Sequence, residues 1–411
     1  MGVITLAHDP QQKRLLIVTP TVGFARDKKG LWFDRKFVEG MSLYRDYWPG
    51  PVAASMKIIP KERLDFGRYY TPEELPFTLI DEILPDEKGF ALLNKANTLL
   101  ASADDHNQFW LAERRSEYSA KLAYVIEYTL ETRLDIIRAN NLPLAVRSKR
   151  SLQNRWTERA RVKAIKLADA IQANGRPAFN AYGDNHANGL CYFDCRTPLD
   201  MMPTEAFLNA KIATMLEKRP LKLAFSGRWE PMKGVDHLPH MAKALKQRGI
   251  DFTLSIFGQG SLAGKLEETI DDLDLADCVE LKGNVDFARE LSPHLQTKTD
   301  LFICCHRQAD PSCTYLETLA CGIPIVGYRN DAFAGIVDAS RAGWDTPMND
   351  IQSLVAKIAH LNQYRSEIAH ASKRALTFAH QHSFEETFKK RINQLINLSP
   401  QEQELDQTTA A

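Results

Sequence analysis

From residue 221 onward, short apolar and β-branched runs recur at 221–225, 252–257, 279–281, 301–305 and 324–327. The polar stretches between them are each long enough for one helix or turn, and apolar positions at helical spacing appear there, as at Met241, Ala244 and Leu245. Gly258-Gln259-Gly260 marks one junction, while Gly322 and Pro324 close a helix expected over 314–320. Strands alternating with helices predict a parallel sheet covered on both faces, with ligands held beyond the strand carboxyl ends. The N-terminal half repeats the theme at 14–18, 53–59, 97–101, 123–128, 170–173 and 190–193, so a second doubly wound domain is expected. Apolar residues spaced by four at Phe384, Phe388, Ile392 and Ile396 predict a final helix, and the polar, acidic, aperiodic 401–411 reads as a disordered tail.

Composition leaves this α/β picture standing. At 411 residues the chain is long enough for two cores. With 44% hydrophobic and 25% charged residues and a formal net charge of zero, it is not a nucleic-acid carrier. The charge is unevenly divided: 32 Lys and Arg against 27 Asp and Glu over residues 1–220, and 20 against 25 over the rest. Its densest basic stretch runs from Arg147 through Lys149, Arg150, Arg155, Arg159 and Arg161 to Lys163, against the one acid Glu158. That pattern fits a solvated helix face or a surface that docks on an anionic membrane or a phosphate-bearing acceptor. There is no charged-then-apolar leader and no apolar run of roughly 18 residues, so the expectation is a cytoplasmic protein. Seven cysteines, with Cys304 and Cys305 adjacent and only Cys191 and Cys195 at a suggestive spacing, predict free thiols and no zinc site.

Three features fall at carboxyl ends of expected strands. Ser226 to Gly234 is a strand-to-helix turn holding Gly227, Arg228 and Lys233; a guanidinium fork, an ammonium and helix-start amides suit a diphosphate, although turns with surface cations look alike. Gly258 and Gly260 allow a close backbone approach, to a ligand or merely within a tight turn. In the third, Asp310-Pro311-Ser312-Cys313-Thr314, a helix begins after Pro311-Ser312 and Glu317 follows one turn later. Amides for phosphate beside a carboxylate for hydroxyls is one reading, a capped helix with an exposed acid the other.

In this order the features resemble the C-terminal domain of the retaining family 4 glycosyltransferases, of the group 1 type, over about residues 220–395. The resemblance implies the GT-B fold: an acceptor-side Rossmann-like domain over 1–200, a nucleotide-sugar domain over 201–382, a helix over 383–398 returning to the first domain, and the tail 399–411. It implies that Arg228 and Lys233 meet the donor diphosphate, that Glu317 meets the ribose, and that Val285, in Gly283-Asn284-Val285, lies beside the base. Ser312, Cys313 and Thr314, with Gly227, Gly258, Gly260 and Gly23 of the loop after the first strand, complete the expected donor contacts. The family has a glutamate eight residues before the position of Glu317; here that residue is Ala309, so either Asp310, one place later, is the substitute that reaches the sugar or the contact is made by backbone and by Arg307 or Gln308, with His306 lining the sugar pocket or capping the strand end. His106, in Asp104-Asp105-His106, and Glu127 are the acceptor-side candidates.

The reading is transfer of a sugar from a nucleoside diphosphate sugar to an acceptor hydroxyl with retention, on a glycan, lipid-linked or small-molecule acceptor, without a metal or cofactor. No nucleic-acid partner is expected, whereas peripheral contact with the inner face of a membrane is compatible with the basic N-terminal surface. A catalytically lapsed nucleotide-sugar-binding protein and a GT-B sugar-nucleotide epimerase remain as alternatives.

Overall fold

A computed structural model describes residues 13–18, 23–27, 30–64, 67–139, 142–217 and 219–398. The expected disordered tail lies outside the described residues. Ten strands precede residue 200: β1 (Leu15–Val18), β2 (Ala25–Arg26), β3 (Leu31–Asp34), β4 (Val52–Met56), β5 (Gly67–Tyr70), β6 (Thr78–Asp81), β7 (Thr98–Ser102), β8 (Lys121–Ile126), β9 (Ala170–Asn174) and β10 (Gly189–Tyr192). Seven of them form one parallel sheet in the order β10-β9-β8-β7-β1-β4-β6, and β2, β3 and β5 form a small antiparallel sheet beside it.

The inner strands of the large sheet are buried on both faces, which is why most of them read as apolar runs. Alternate residues divide between two cores: Leu16, Leu99, Leu122 and Tyr124 pack on one side, Leu15, Ile17, Leu100 and Ala123 on the other. The second face is covered by helix Arg35–Tyr47, whose N-terminus is capped by Asp34, and by the last helix, Phe384–Leu398, through Phe388, Ile392 and Leu395. Gly40 is where these helices cross; a methyl there would come within 3.0 Å of the Phe388 ring.

The remaining strands are β11 (Leu221–Ser226), β12 (Phe252–Phe257), β13 (Val279–Gly283), β14 (Leu301–Cys304), β15 (Ile325–Tyr328) and β16 (Gly343–Thr346). They form a second all-parallel sheet in the order β13-β12-β11-β14-β15-β16, around a core of its own. The order in which strands are laid down reverses between β11 and β14. In a doubly wound sheet that reversal opens a crevice beyond the carboxyl ends of the two strands. The equivalent reversal in the N-terminal sheet lies between β1 and β7.

Candidate active site

The loops after β11 and β14 meet at the C-terminal crevice. Lys233 is 6% exposed, and its Nζ lies 3.4 Å from Asp310 Oδ2. Gly234 makes this possible: its φ is +65°, and a Cβ there would fall 2.0 Å from the carbonyl oxygen of Cys305. The Arg307 amide closes the same approach by donating to the Met232 carbonyl at 2.9 Å. Arg228, five residues before Lys233, is exposed, with its guanidinium 3.8 Å from Met232 Sδ.

Beyond β14 the chain runs without regular structure from 305 to 312, and alternate side chains separate. Arg307 turns to Asp236, bonding both carboxylate oxygens at 3.0 and 2.9 Å. His306, Gln308 and Asp310 each hold a buried polar atom with no partner: His306 Nε2, Gln308 Oε1 and Asp310 Oδ1. Burial, reinforced by Lys233, holds the His306 imidazole neutral, well below its ordinary pKa. Its Nδ1 is 3.4 Å from Tyr315 Oη, and Asn330 Nδ2 donates to the His306 carbonyl at 3.0 Å. Native interiors rarely leave such atoms unpaired, and two of them, on His306 and Asp310, belong to groups that interact with buried Lys233, which points to a polar ligand.

Helix Cys313–Ala320 begins at Ser312, whose side chain makes no capping bond; its first residue meets the N-terminal domain, and Thr314 is half-buried beside it. Cys313 Sγ donates to Asp194 Oδ2 at 3.1 Å. Glu317 sits one turn further, among Lys36, Asp194 and Arg196. Burial pushes its carboxyl up to about 7, with Lys36 acting against the rise and Asp194 adding to it.

Gly258 and Gly260 are explained by the packing of loop on loop. A Cβ on Gly258 would fall 1.9 Å from the Gly227 carbonyl oxygen, and one on Gly260 2.4 Å from that of Trp229. Trp229 is threaded between them: its amide donates to Gln259 O at 2.8 Å and its Nε1 to Phe257 O at 3.2 Å. The Gly258 amide in turn reaches Gly283 O at 2.8 Å, joining the third loop, where Val285 is half-buried.

On the N-terminal side Gly23 is buried after β1 with φ +128°, tight against the Lys57 carbonyl. His106 is exposed; among the described residues its one ionic neighbour is Asp105 at 4.0 Å, and no contact there joins it to the Lys233 group. Asp104 turns inward, accepting from the Glu127 amide at 2.8 Å and pairing with Arg133. Glu127, at the end of β8, lines the cleft between the domains together with Asp194, Ala309 and Ser312. Burial raises its carboxyl to about 7, with Asp104 and Asp194 adding to the effect. The domains also touch through Thr132 Oγ1, 3.4 Å from Ala309 O.

Asp194, Lys36 and Arg196 were not singled out by sequence. Asp194 follows β10 by two residues, so the strand-end rule that found Asp310 would have found it had it been applied to the last N-terminal strand. Arg161, counted in the basic stretch, is internal: it is 2% exposed and bonds Ala103 O at 2.9 Å. Among the described residues no three His, Cys, Asp or Glu side chains are grouped to hold a metal ion, and no helix is long and apolar enough to cross a membrane.

Residues 209–378 match the family model for group 1 glycosyl transferases. Over 172 residues the chain is 28% identical to the amylovoran biosynthesis glycosyltransferase AmsK of Erwinia amylovora, and over 174 residues 27% identical to the putative colanic acid biosynthesis glycosyltransferase WcaL of Escherichia coli. These matches cover 39% and 38% of this chain and 40% of each relative, so well under half of their length is spanned. The Anabaena protein HepE, solved in complex with UDP, superposes with a TM-score of 0.60 at 14% identity, covering 94% of this chain and 99% of that one. A Rickettsia africae glycosyltransferase gives 0.60 at 11% identity, again covering 94% and 99%. The two parallel-sheet domains have the GT-B fold of these neighbours.

Proposed function

We propose that this chain, whose residues 209–378 form a group 1 glycosyl transferase domain on a GT-B fold, moves a glycosyl group from a nucleoside diphosphate sugar to an acceptor hydroxyl with retention of anomeric configuration. The observation that carries the reading is the buried Lys233–Asp310 pair at the β11/β14 crevice, near the unpaired His306 Nε2 and with Asp310 Oδ1 itself unpaired; Gln308 Oε1, in the same segment, is unpaired too. Lys233, Arg228 and the first-turn amides of helix Cys313–Ala320 would hold the diphosphate, and the three unpaired atoms would meet sugar hydroxyls. Glu317 is assigned to the ribose, and Val285 to the side of the base. As the anomeric carbon–phosphate oxygen bond breaks, the acceptor oxygen bonds the carbon from the same face. Its proton passes to the departing diphosphate, whose charge the cations stabilise. HepE was solved with UDP, so uridine donors are the first to test.

Thermal-shift measurement against UDP-, GDP- and ADP-sugars tests the donor site, because a ligand at 100 times its Kd stabilises by roughly 2.7 kcal/mol. Transfer is then followed by NMR of the product's anomeric proton. A stabilising donor that is neither transferred nor hydrolysed would identify a binding protein, and conversion of the donor alone an epimerase. We further propose that no metal is needed; activity lost to chelator and restored by manganese would overturn this.

Helix Leu144–Leu167 supports a membrane-facing role on the cytoplasmic side. Its outer face carries Leu152 and Trp156, 71% and 73% exposed, among Lys149, Arg155, Arg159 and Lys163. Apolar side chains within a basic field suit an anionic bilayer. Sedimentation with vesicles rich in anionic lipid, set against neutral vesicles, is the test.

A further inference from the structure

A cavity of about 340 Å³ lies in the N-terminal domain between the sheet, helix Arg35–Tyr47 and helix Phe384–Leu398. It is within the size range of small-molecule sites. One end is walled by Glu127 and Asp194, which also line the cleft facing Ala309 and Ser312, so this end opens towards the donor side. The same wall holds Tyr44, Phe388 and Arg391.

Arg391 is held in place without a direct salt bridge among the described residues; the charges of Asp194 and Glu127 act on it only at longer range. Its Nε donates to Gln172 Oε1 at 2.9 Å, its carbonyl accepts from Gln172 Nε2 at 2.9 Å, and its guanidinium lies 4.4 Å from the Tyr192 ring centroid and 5.1 Å from that of Phe388. No described carboxylate comes within 4.0 Å of it. The acids in the cavity wall are otherwise engaged. Asp34 caps its helix, Asp194 takes the Cys313 thiol and lies 3.6 Å from Arg196, and burial favours the neutral form of Glu127. Tyr44 is 4% exposed and its hydroxyl has no partner. A fixed guanidinium fork with no described carboxylate in bonding distance, beside a buried unpaired phenol, is the donor set for a two-oxygen anion.

We infer that this cavity is the acceptor site and that it takes a saccharide bearing a carboxylate or a phosphate, the anion seated on Arg391 and Tyr44 and the reacting hydroxyl at Glu127. The inference rests on the transferase reading only in calling the ligand an acceptor. Its test needs no turnover. Methyl glucoside, glucuronate and glucose 6-phosphate are titrated into the full chain by ligand-observed NMR, with UDP titrated separately to read the donor site. At least one anionic sugar should bind ~10-fold or more tightly than the neutral glucoside, and which one does so tells carboxylate from phosphate. Arg391→Gln should abolish that preference, Arg391→Lys should restore only part of it, and Tyr44→Phe should weaken it several-fold, all with UDP affinity unchanged. Melting curves establish that each variant is folded, and Tyr44→Phe, which removes one unpaired atom, carries the test if the Arg391 variants do not fold. Equal affinity for neutral and charged sugars, a preference that survives Arg391→Gln, or no saturable binding of any sugar would overturn the inference; failure of UDP alone would count against the transferase reading instead.

Discussion

Lys233 and Asp310 are 77 residues apart in the chain and meet because each follows a strand flanking the sheet's reversal point. If the proposed donor binds there, its diphosphate would compete with Asp310 for the ammonium, and the released carboxylate would gain a sugar hydroxyl. Lys233→Ala should therefore lower turnover by more than ~10-fold while leaving the chain folded, as loss of one transition-state donor does elsewhere. An unchanged kcat would remove Lys233 from the mechanism. Glu127 makes a different prediction. Its folded pKa of about 7 lies above the ordinary 4.5, so the folded state binds more protons between those values. Stability contributed by this group is full below pH 4.5 and is lost as pH rises through 7. Glu127→Gln should accordingly stabilise the chain by about 1–2 kcal/mol near pH 8 and have little effect at about pH 4.5, measured by urea unfolding at both values.

Among the elements, the loops after β11, β12 and β13 behave as one unit. Gly258 has φ +131° and the Gly227 carbonyl where its Cβ would go, so Gly258→Ala should cost roughly 3 kcal/mol or more. Gly264, with no heavy atom within 4 Å of such a Cβ and a place in helix Ala263–Asp272, is the control: Ala there should be neutral or stabilise by up to about 1 kcal/mol. This contrast also marks what the sequence could tell. The Gly-x-Gly turn was legible as a place of close backbone approach, but not that the approaching group is the neighbouring loop, because that depends on β11 and β12 being adjacent. Strands buried on both faces were legible as apolar runs. Strand β6 (Thr78–Asp81) lies at a sheet edge and is at most half-buried, β16 (Gly343–Thr346) carries Asp and Thr, β2 is two residues long and β5 is mostly exposed, so none presents an apolar run and all four were missed; β3, with Leu31-Trp32-Phe33, was missed despite its run.

At the scale of the whole molecule, the chain crosses from its second sheet back to its first before it ends. The spacing of Phe384, Phe388, Ile392 and Ile396 signalled an amphipathic helix, yet periodicity is silent about which surface receives the apolar face. The surface is that of the N-terminal sheet: Phe388 meets Tyr44 with ring centroids 5.4 Å apart, Arg391 and Gln172 exchange two hydrogen bonds, and Gln394 Nε2 reaches Asn188 O at 2.7 Å. Leu15, Ile17 and Tyr44 therefore share a core with residues some 370 positions later, while the C-terminal sheet has a separate core to which this helix adds nothing. Burying Phe388, Ile392 and Leu395 contributes about 2 kcal/mol each, which is comparable in sum with the net stability of a domain. Removing residues 384–411 should consequently unfold the N-terminal domain and leave the C-terminal one folded. Hydrogen exchange followed by mass spectrometry would show protection lost across β1, β4 and β9 but retained across β11, β12 and β14. Protection retained in both sheets would mean that the final helix lies on a domain already stable without it, and that a cavity walled by Arg391 and Phe388 can open without cost to the fold.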